Sequence, residues 1–254
     1  MLRRANSCIA ISKYYAGWMR MFTDKPITTI HNGINISDFQ GGSTLELPTD
    51  KLIAFFHGRL CGQKGIDIIV EAAKRRDDIV WILAGPMAGK EDGRCLEDGL
   101  LKDLKNLERQ GKVILPGMQP QSYIGAYLRA CDVAVYPHKR APFDCAVLEA
   151  IACGAQVVTT GVDAIGEYAN ADNAFFCKTT AESLLEAIED SRHVKKNGQA
   201  EIIKKYSWTN TALKTLEVYE GVIHGNEKNV RKQISEPRGA SHGILLHQAG
   251  ASGT

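Results

Sequence analysis

With 254 residues, 44% of them hydrophobic and 24% charged, the chain can form one large or two small globular domains and needs no staples for its core. The net charge is +2, and outside residues 225–254 the basic and acidic side chains balance, which argues against a nucleic-acid-binding protein. No apolar run approaches the roughly 18 residues of a membrane-spanning helix, so no transmembrane segment is expected. The N-terminus, MLRRANSCIAIS, is basic and then mildly apolar, too short and interrupted for a secretory signal, and the expectation is a cytoplasmic protein. The seven cysteines (Cys8, Cys61, Cys95, Cys131, Cys145, Cys153 and Cys177) form no CxxC pair. They predict a reduced compartment and neither a metal site nor a disulfide framework.

Taken in chain order, a short strand (CIAIS) and a helix near 12–22 open the sequence, followed by a strand at 27–31 and a polar loop. From there β-rich runs at 51–57, 79–84, 112–115, 132–136, 156–160 and 174–176 alternate with helical patterns near 65–76, 96–109, 120–130, 143–153, 164–170 and 180–191. Two further helices are predicted at 193–205 and 208–222. Continuously apolar strands separated by helices imply an α/β fold, a Rossmann-like parallel sheet with helices on both faces. The turns are rich in Gly and Pro (HGR, AGPMAG, LPGM, CGA, TTG), and ligands of such sheets bind where these turns cluster, at the carboxyl ends of the strands. From about 225 the periodicity stops in a stretch rich in Gly, Ser and polar residues, which predicts a disordered tail over 225–254.

Two stretches carry chemistry. In FFHGRLCGQKGID (55–67) a strand runs into a loop with Gly58, Arg59, Gly62, Lys64 and Gly65, and a helix follows. Glycines let a ligand approach the backbone, Arg and Lys offer charge to phosphate, and a helix N-terminus adds a favourable dipole. The loop fits neither a P-loop nor a GxGxxG pattern. A basic surface turn is the other reading, and spacing alone does not separate the two. In APFDCAVLEAIACG (141–154), Phe143, Val147, Ala150 and Ile151 recur at helical spacing and are expected to face the sheet. Pro142 suits the helix start and Gly154 its end. Glu149 is the one carboxylate within the apolar run. It either holds ribose hydroxyls, since both oxygens accept, or is a solvated helix residue.

Together with IHNGINISDF (30–39), the VILPG turn (113–117), YLRACDVAVYPHKR (127–140), TTGVDAIGE (159–167) and KYSWTNTALKTLEVYE (205–220), these stretches resemble the C-terminal, nucleotide-sugar-binding domain of GT-B glycosyltransferases, in particular glycosyltransferase family 4. The resemblance runs from about residue 6 to 222. It implies transfer of a sugar from a UDP- or GDP-sugar with retention at the anomeric carbon, without a required metal or other cofactor, to a glycan or lipid-linked acceptor. By resemblance, Gly58, Arg59 and Lys64 meet the donor diphosphate, Glu149 the ribose, backbone near Val113 to Met118 the base, and N–H groups around Phe143, Asp144 and Cys145 the sugar and phosphate. It also divides the chain into a remnant of an N-terminal domain with a linker (1–45), the nucleotide-sugar domain (46–205), a closing helix (206–224) and the tail.

Two positions depart from the family motif, which carries a sugar-facing glutamate where this chain has Ala141 and a glycine where it has Asp144. A carboxylate at 144 is expected to repel a diphosphate or to turn and take over sugar contacts, with Lys139 and Arg140 either offsetting it or simply solvated. His31 and His57 read as structural, and His138 as a loop residue near the donor pocket. The family's acceptor domain has no counterpart, so a partner domain or a homo-oligomer is expected to cover an apolar face of the closing helix, with Trp208, Leu213, Leu216 and Tyr219. A non-catalytic nucleotide-sugar or partner-binding module is the alternative, and a GT-B epimerase a weaker third.

Overall fold

A computed structural model describes residues 4–41, 45, 50–87 and 96–235. The chain opens with β1 (Cys8–Ala10), α1 (Lys13–Met19) and β2 (Ile27–Thr29), a small βαβ unit whose two strands pair in parallel. Ser12 starts α1 by accepting from the Tyr15 N–H at 3.0 Å, and Ala10, Ala16 and Met19 with Cys8 form its small apolar cluster.

The main unit follows as β3 (Leu52–His57), α2 (Ile66–Arg75), β4 (Ile79–Ala84), α3 (Asp98–Arg109), β5 (Val113–Gly117), α4 (Gln121–Ala130), β6 (Val133–Tyr136), α5 (Cys145–Ala152), β7 (Val157–Thr159), β8 (Phe175–Phe176), α6 (Ala181–His193), α7 (Gln199–Lys205) and α8 (Trp208–Ser235). Its six strands are all parallel in the order β5-β4-β3-β6-β7-β8. Every residue of β4 and β6 is buried, as a sheet covered on both faces requires. Trp81, Phe55, Phe56 and Tyr136 are among the largest fully buried side chains, and each contributes roughly 1.5–3 kcal/mol by leaving water.

That order places the chain reversal between β3 and β6. From β3 the connections run outward to β4 and β5; from β6 they run the other way to β7 and β8. Open α/β sheets receive ligands in the crevice outside the carboxyl ends of two such neighbours, where the chain direction reverses. The β3 loop carries Gly58, Arg59 and Lys64, and the β6 loop carries His138, Asp144 and, one turn into α5, Glu149.

Several expected boundaries move. The helix expected from Phe143 begins at Cys145, because Asp144 rather than Pro142 supplies the cap: its Oδ1 accepts from the Ala146 and Val147 N–H groups at 2.8 and 3.3 Å. Phe143 therefore lies outside the helix, packed against the main core with its ring beside those of His31 and Tyr168. The helix expected at 193–205 starts only at Gln199, and the one at 164–170 is a 3-10 turn over Ile165–Glu167. The closing helix does not end near 224 but continues to Ser235, so the first part of the segment expected to be disordered is helical. The rest of that segment (236–254), most of the polar loop before β3 (42–44, 46–49), and 88–95 with the end of the AGPMAG turn and Cys95 lie outside the described residues. On α8, Trp208, Leu213, Leu216, Tyr219 and Ile223 are each more than half exposed, the apolar face that the sequence led us to expect. Among the described residues no helix is long and apolar enough to cross a membrane.

Candidate functional site at the sheet crossover

The β3 loop is pinned against the β6 loop by backbone contacts. Gly62–Lys64 form a 3-10 turn, and Gly65, at φ +73°, turns the chain into α2. The Lys139 N–H donates to the Gln63 carbonyl at 2.9 Å. Gly58 has φ +137° and approaches Gly85 so closely that a Cβ on Gly85 would stand 1.9 Å from the Gly58 carbonyl oxygen. Arg59 beside it is exposed and makes no ion pair or hydrogen bond among the described residues. No described residue claims its charge.

Glu149 is not solitary. His57, the last residue of β3, brings Nε2 to 3.0 Å from Glu149 Oε2, and its Nδ1 lies 2.8 Å from the Tyr136 hydroxyl. Burial raises the Tyr136 phenol well above its ordinary pKa, so the hydroxyl keeps its proton. The network then assigns the imidazole: Tyr136 O–H donates to Nδ1 and His57 Nε2–H donates to Glu149 Oε2. Oε1 of Glu149 has no partner among the described residues, and the side chain is 18% exposed. The arrangement is a held carboxylate with one acceptor oxygen to offer. His57 reads from the sequence as merely structural; in the fold it orients the residue that the sequence singles out.

Asp144 and Lys64 are brought together, but not as expected. Asp144 is 4% exposed and is not turned toward a sugar. Besides capping α5 through Oδ1, it accepts through Oδ2 from the Lys64 ammonium, and His138 Nε2 stands 3.2 Å from the same oxygen. Its backbone is fixed as well. The Asp144 N–H donates to the Tyr168 hydroxyl at 3.3 Å, and that hydroxyl donates to the Asp144 carbonyl at 2.9 Å, so this N–H is not open to a donor sugar or phosphate. Burial alone would raise the Asp144 carboxyl; the combined pull of His138, Lys64 and the α5 amides outweighs it and holds the carboxyl at about 2.

His138 is 1% exposed, so it does not line the pocket as expected. Burial pushes its imidazole down to about 4 against the opposing attraction of Asp144. The neutral ring faces Asp144 Oδ2 with Nε2 and leaves Nδ1 buried with no partner among the described residues. Lys139 and Arg140 do not offset Asp144. Lys139 pairs with Asp67 at 2.5 Å, and Arg140 pairs with Asp163 at 3.1 Å while donating to the Tyr14 hydroxyl at 2.9 Å.

Ala141, where the family motif carries a glutamate, is buried, and its N–H donates to Asp163 Oδ2 at 2.8 Å. Cys145 is half-buried; its thiol is pushed up to about 11, chiefly by burial. Met118 is 78% exposed just past the end of β5. His31 belongs to a separate joint: its Nε2 lies 2.7 Å from Glu167 Oε2, and the same carboxylate accepts from the Lys13 and Tyr14 N–H groups, both at 3.0 Å. Glu167 thus ties the start of α1 to the main sheet.

Solved structures share this architecture. Sucrose-phosphate synthase from Thermosynechococcus elongatus superposes with a TM-score of 0.75 at 22% identity, over 88% of this chain and 60% of that one. HepE from Anabaena, solved with UDP and glucose, gives 0.72 at 20% identity over 86% and 64%. At these identities the likeness establishes the fold, that of GT-B glycosyltransferases. Among curated proteins, D-inositol 3-phosphate glycosyltransferase from Mycobacterium tuberculosis and from Mycobacterium bovis is 29% identical over 142 residues. That alignment takes in 54% of this chain and 29% of the relative, so the chain spans under a third of the length of the curated relatives it matches. The model of the family described as glycosyl transferases group 1 matches residues 43–209, which include both loops of the crevice and Glu149, and the chain belongs to that family.

Proposed function

We propose that this chain is the donor-binding half of a glycosyltransferase that takes its sugar from a nucleotide-diphosphate sugar and transfers it with retention of configuration. The observation that carries this reading is Glu149, oriented through His57 and Tyr136 at the crossover of the sheet with Oε1 left to accept. A carboxylate so held suits a pair of ribose hydroxyls. Arg59, exposed and unpaired among the described residues, supplies charge for the diphosphate that leaves with the nucleotide. UDP or GDP suits the site equally on these contacts. In this reading the acceptor, a glycan or lipid-linked saccharide, is bound by a second domain or partner outside these residues, which would cover the exposed row on α8. We place the protein in the cytoplasm, where nucleotide sugars are substrates and thiols stay reduced.

Calorimetric titration with UDP, GDP and ADP tests the reading. One nucleotide is expected to bind, and Arg59→Ala to weaken it by about tenfold, the scale of one charge-assisted contact of ~1.4 kcal/mol. Glu149→Ala is expected to weaken the nucleotide but not inorganic pyrophosphate, which has no ribose. Absence of binding by all three nucleotides would remove the reading. A second reading, a binding module with a degenerate site, is favoured by one observation: Lys64 is already neutralised by Asp144.

A further inference from the structure

The Asp144 carboxylate engages the groups that a phosphate would need in the crevice. Oδ2 takes the Lys64 ammonium, and Oδ1 takes two amides at the N-terminus of α5. A lysine and a helix N-terminus facing the crossover of a parallel sheet form a natural anion site. Here that site already holds an anion, supplied by the chain. The carboxylate is held at both ends: Tyr168 fixes the backbone of Asp144, and the buried His138 backs Oδ2. Of the two cations in the β3 loop, only Arg59 keeps its charge for a ligand.

We infer that Asp144 is a tethered anion that occupies the phosphate corner of the crevice, sequestering Lys64 and lowering the affinity of the site for phosphate-bearing ligands. The inference rests on the donor-site reading above and adds to it a residue that sets how strongly the diphosphate is held. An entering phosphate must displace the carboxylate from Lys64 or bind beside it against its charge.

The test is a double-mutant cycle read by calorimetry with UDP, inorganic pyrophosphate and uridine as probes. Asp144→Asn keeps a side-chain oxygen for the α5 amides and removes the charge; Asp144→Ser does the same with a shorter cap and serves if the first variant folds poorly. Either variant is expected to tighten UDP and pyrophosphate by about tenfold, ~1.4 kcal/mol, and to leave uridine unchanged. Lys64→Ala is expected to cost about tenfold more affinity in the Asp144→Asn background than in the wild-type background. Equal losses in both backgrounds, or unchanged UDP and pyrophosphate affinity on removing the charge, would overturn the inference while leaving the donor site standing. Pyrophosphate binding gained without any binding of UDP, GDP or ADP would support the tethered anion and overturn the donor reading. No binding of either by any variant would overturn both.

Discussion

Gly65→Ala is expected to destabilise the protein by about 3–5 kcal/mol, the range reached when backbone strain and a steric overlap coincide. Gly65 sits at φ +73°, a left-handed conformation that costs a residue with a Cβ roughly 1–2 kcal/mol. Steric overlap costs more: a Cβ there would lie 2.0 Å from the Pro137 carbonyl oxygen, a backbone atom with no rotamer through which to retreat. The relief available is to part the β3 and β6 loops, and that separates Lys64 from Asp144 and loosens the Lys139 to Gln63 hydrogen bond. A domain of this kind has about 5–15 kcal/mol of stability in all, so the loss should show as a large drop in the urea midpoint. Gly62→Ala is the control. Nothing lies within 4 Å of its Cβ, its φ is not positive, and its effect should stay within about 0.5 kcal/mol. Equal midpoints for the two variants would mean that the loops are not wedged together as described.

How far the sequence could be read follows from what each feature depends on. β4 is expected at 79–84 and occupies Ile79–Ala84, because six consecutive apolar residues between turns admit few other outcomes. The parallel sheet follows from that alternation of apolar strands and helices, whereas the strand order with its crossover does not. The start of α5 falls elsewhere than expected although a local signal exists: an Asp directly before an apolar run is a cap, and it outranks a Pro two residues earlier. The long α8 passes beyond its expected end, where local polarity reads as loss of order but no Pro interrupts the sequence before Pro237.

The site divides in the same way. Arg59 and Glu149 are legible as charged residues in loop and helix contexts. Their partners are not, since those are fixed by strand adjacency. His57 and Glu149 are 92 residues apart and meet only because β3 lies next to β6. Lys64 and Asp144 are 80 apart and meet for the same reason. A charge read from sequence alone looks available for a ligand; the fold decides whether another residue has claimed it. Hence Lys64, expected from the sequence as a diphosphate contact, is an internal ion pair, while His57, expected as structural, orients the ribose candidate.

Acidification should cost the protein stability in two pH windows through the His138–Asp144 pair, with the larger loss above pH 4. Burial depresses the His138 pKa from 6.5 to about 4, so between these values the unfolded chain binds a proton that the folded one refuses. Stability therefore falls as pH drops from about 6.5 to 4, by up to about 3 kcal/mol for a shift of this size, and not further below it. Asp144 acts in the next window. Its carboxyl lies at about 2 in the fold against 3.8 in the unfolded chain, so its contribution is fully present above 3.8 and is lost as pH falls through 2. Its share is smaller, about 2 kcal/mol, because the shift is smaller. Urea midpoints at pH 7, 5.5 and 4.5 for the wild type and for His138→Asn check the first window. The asparagine amide can still donate to Asp144 and cannot titrate, so the variant should lose markedly less stability over that range even if it starts lower at pH 7. Parallel pH profiles for the two proteins would show that His138 takes up its proton alike in the folded and unfolded chains, and a wild type that loses less stability than the variant would replace the neutral imidazole with an imidazolium paired to Asp144.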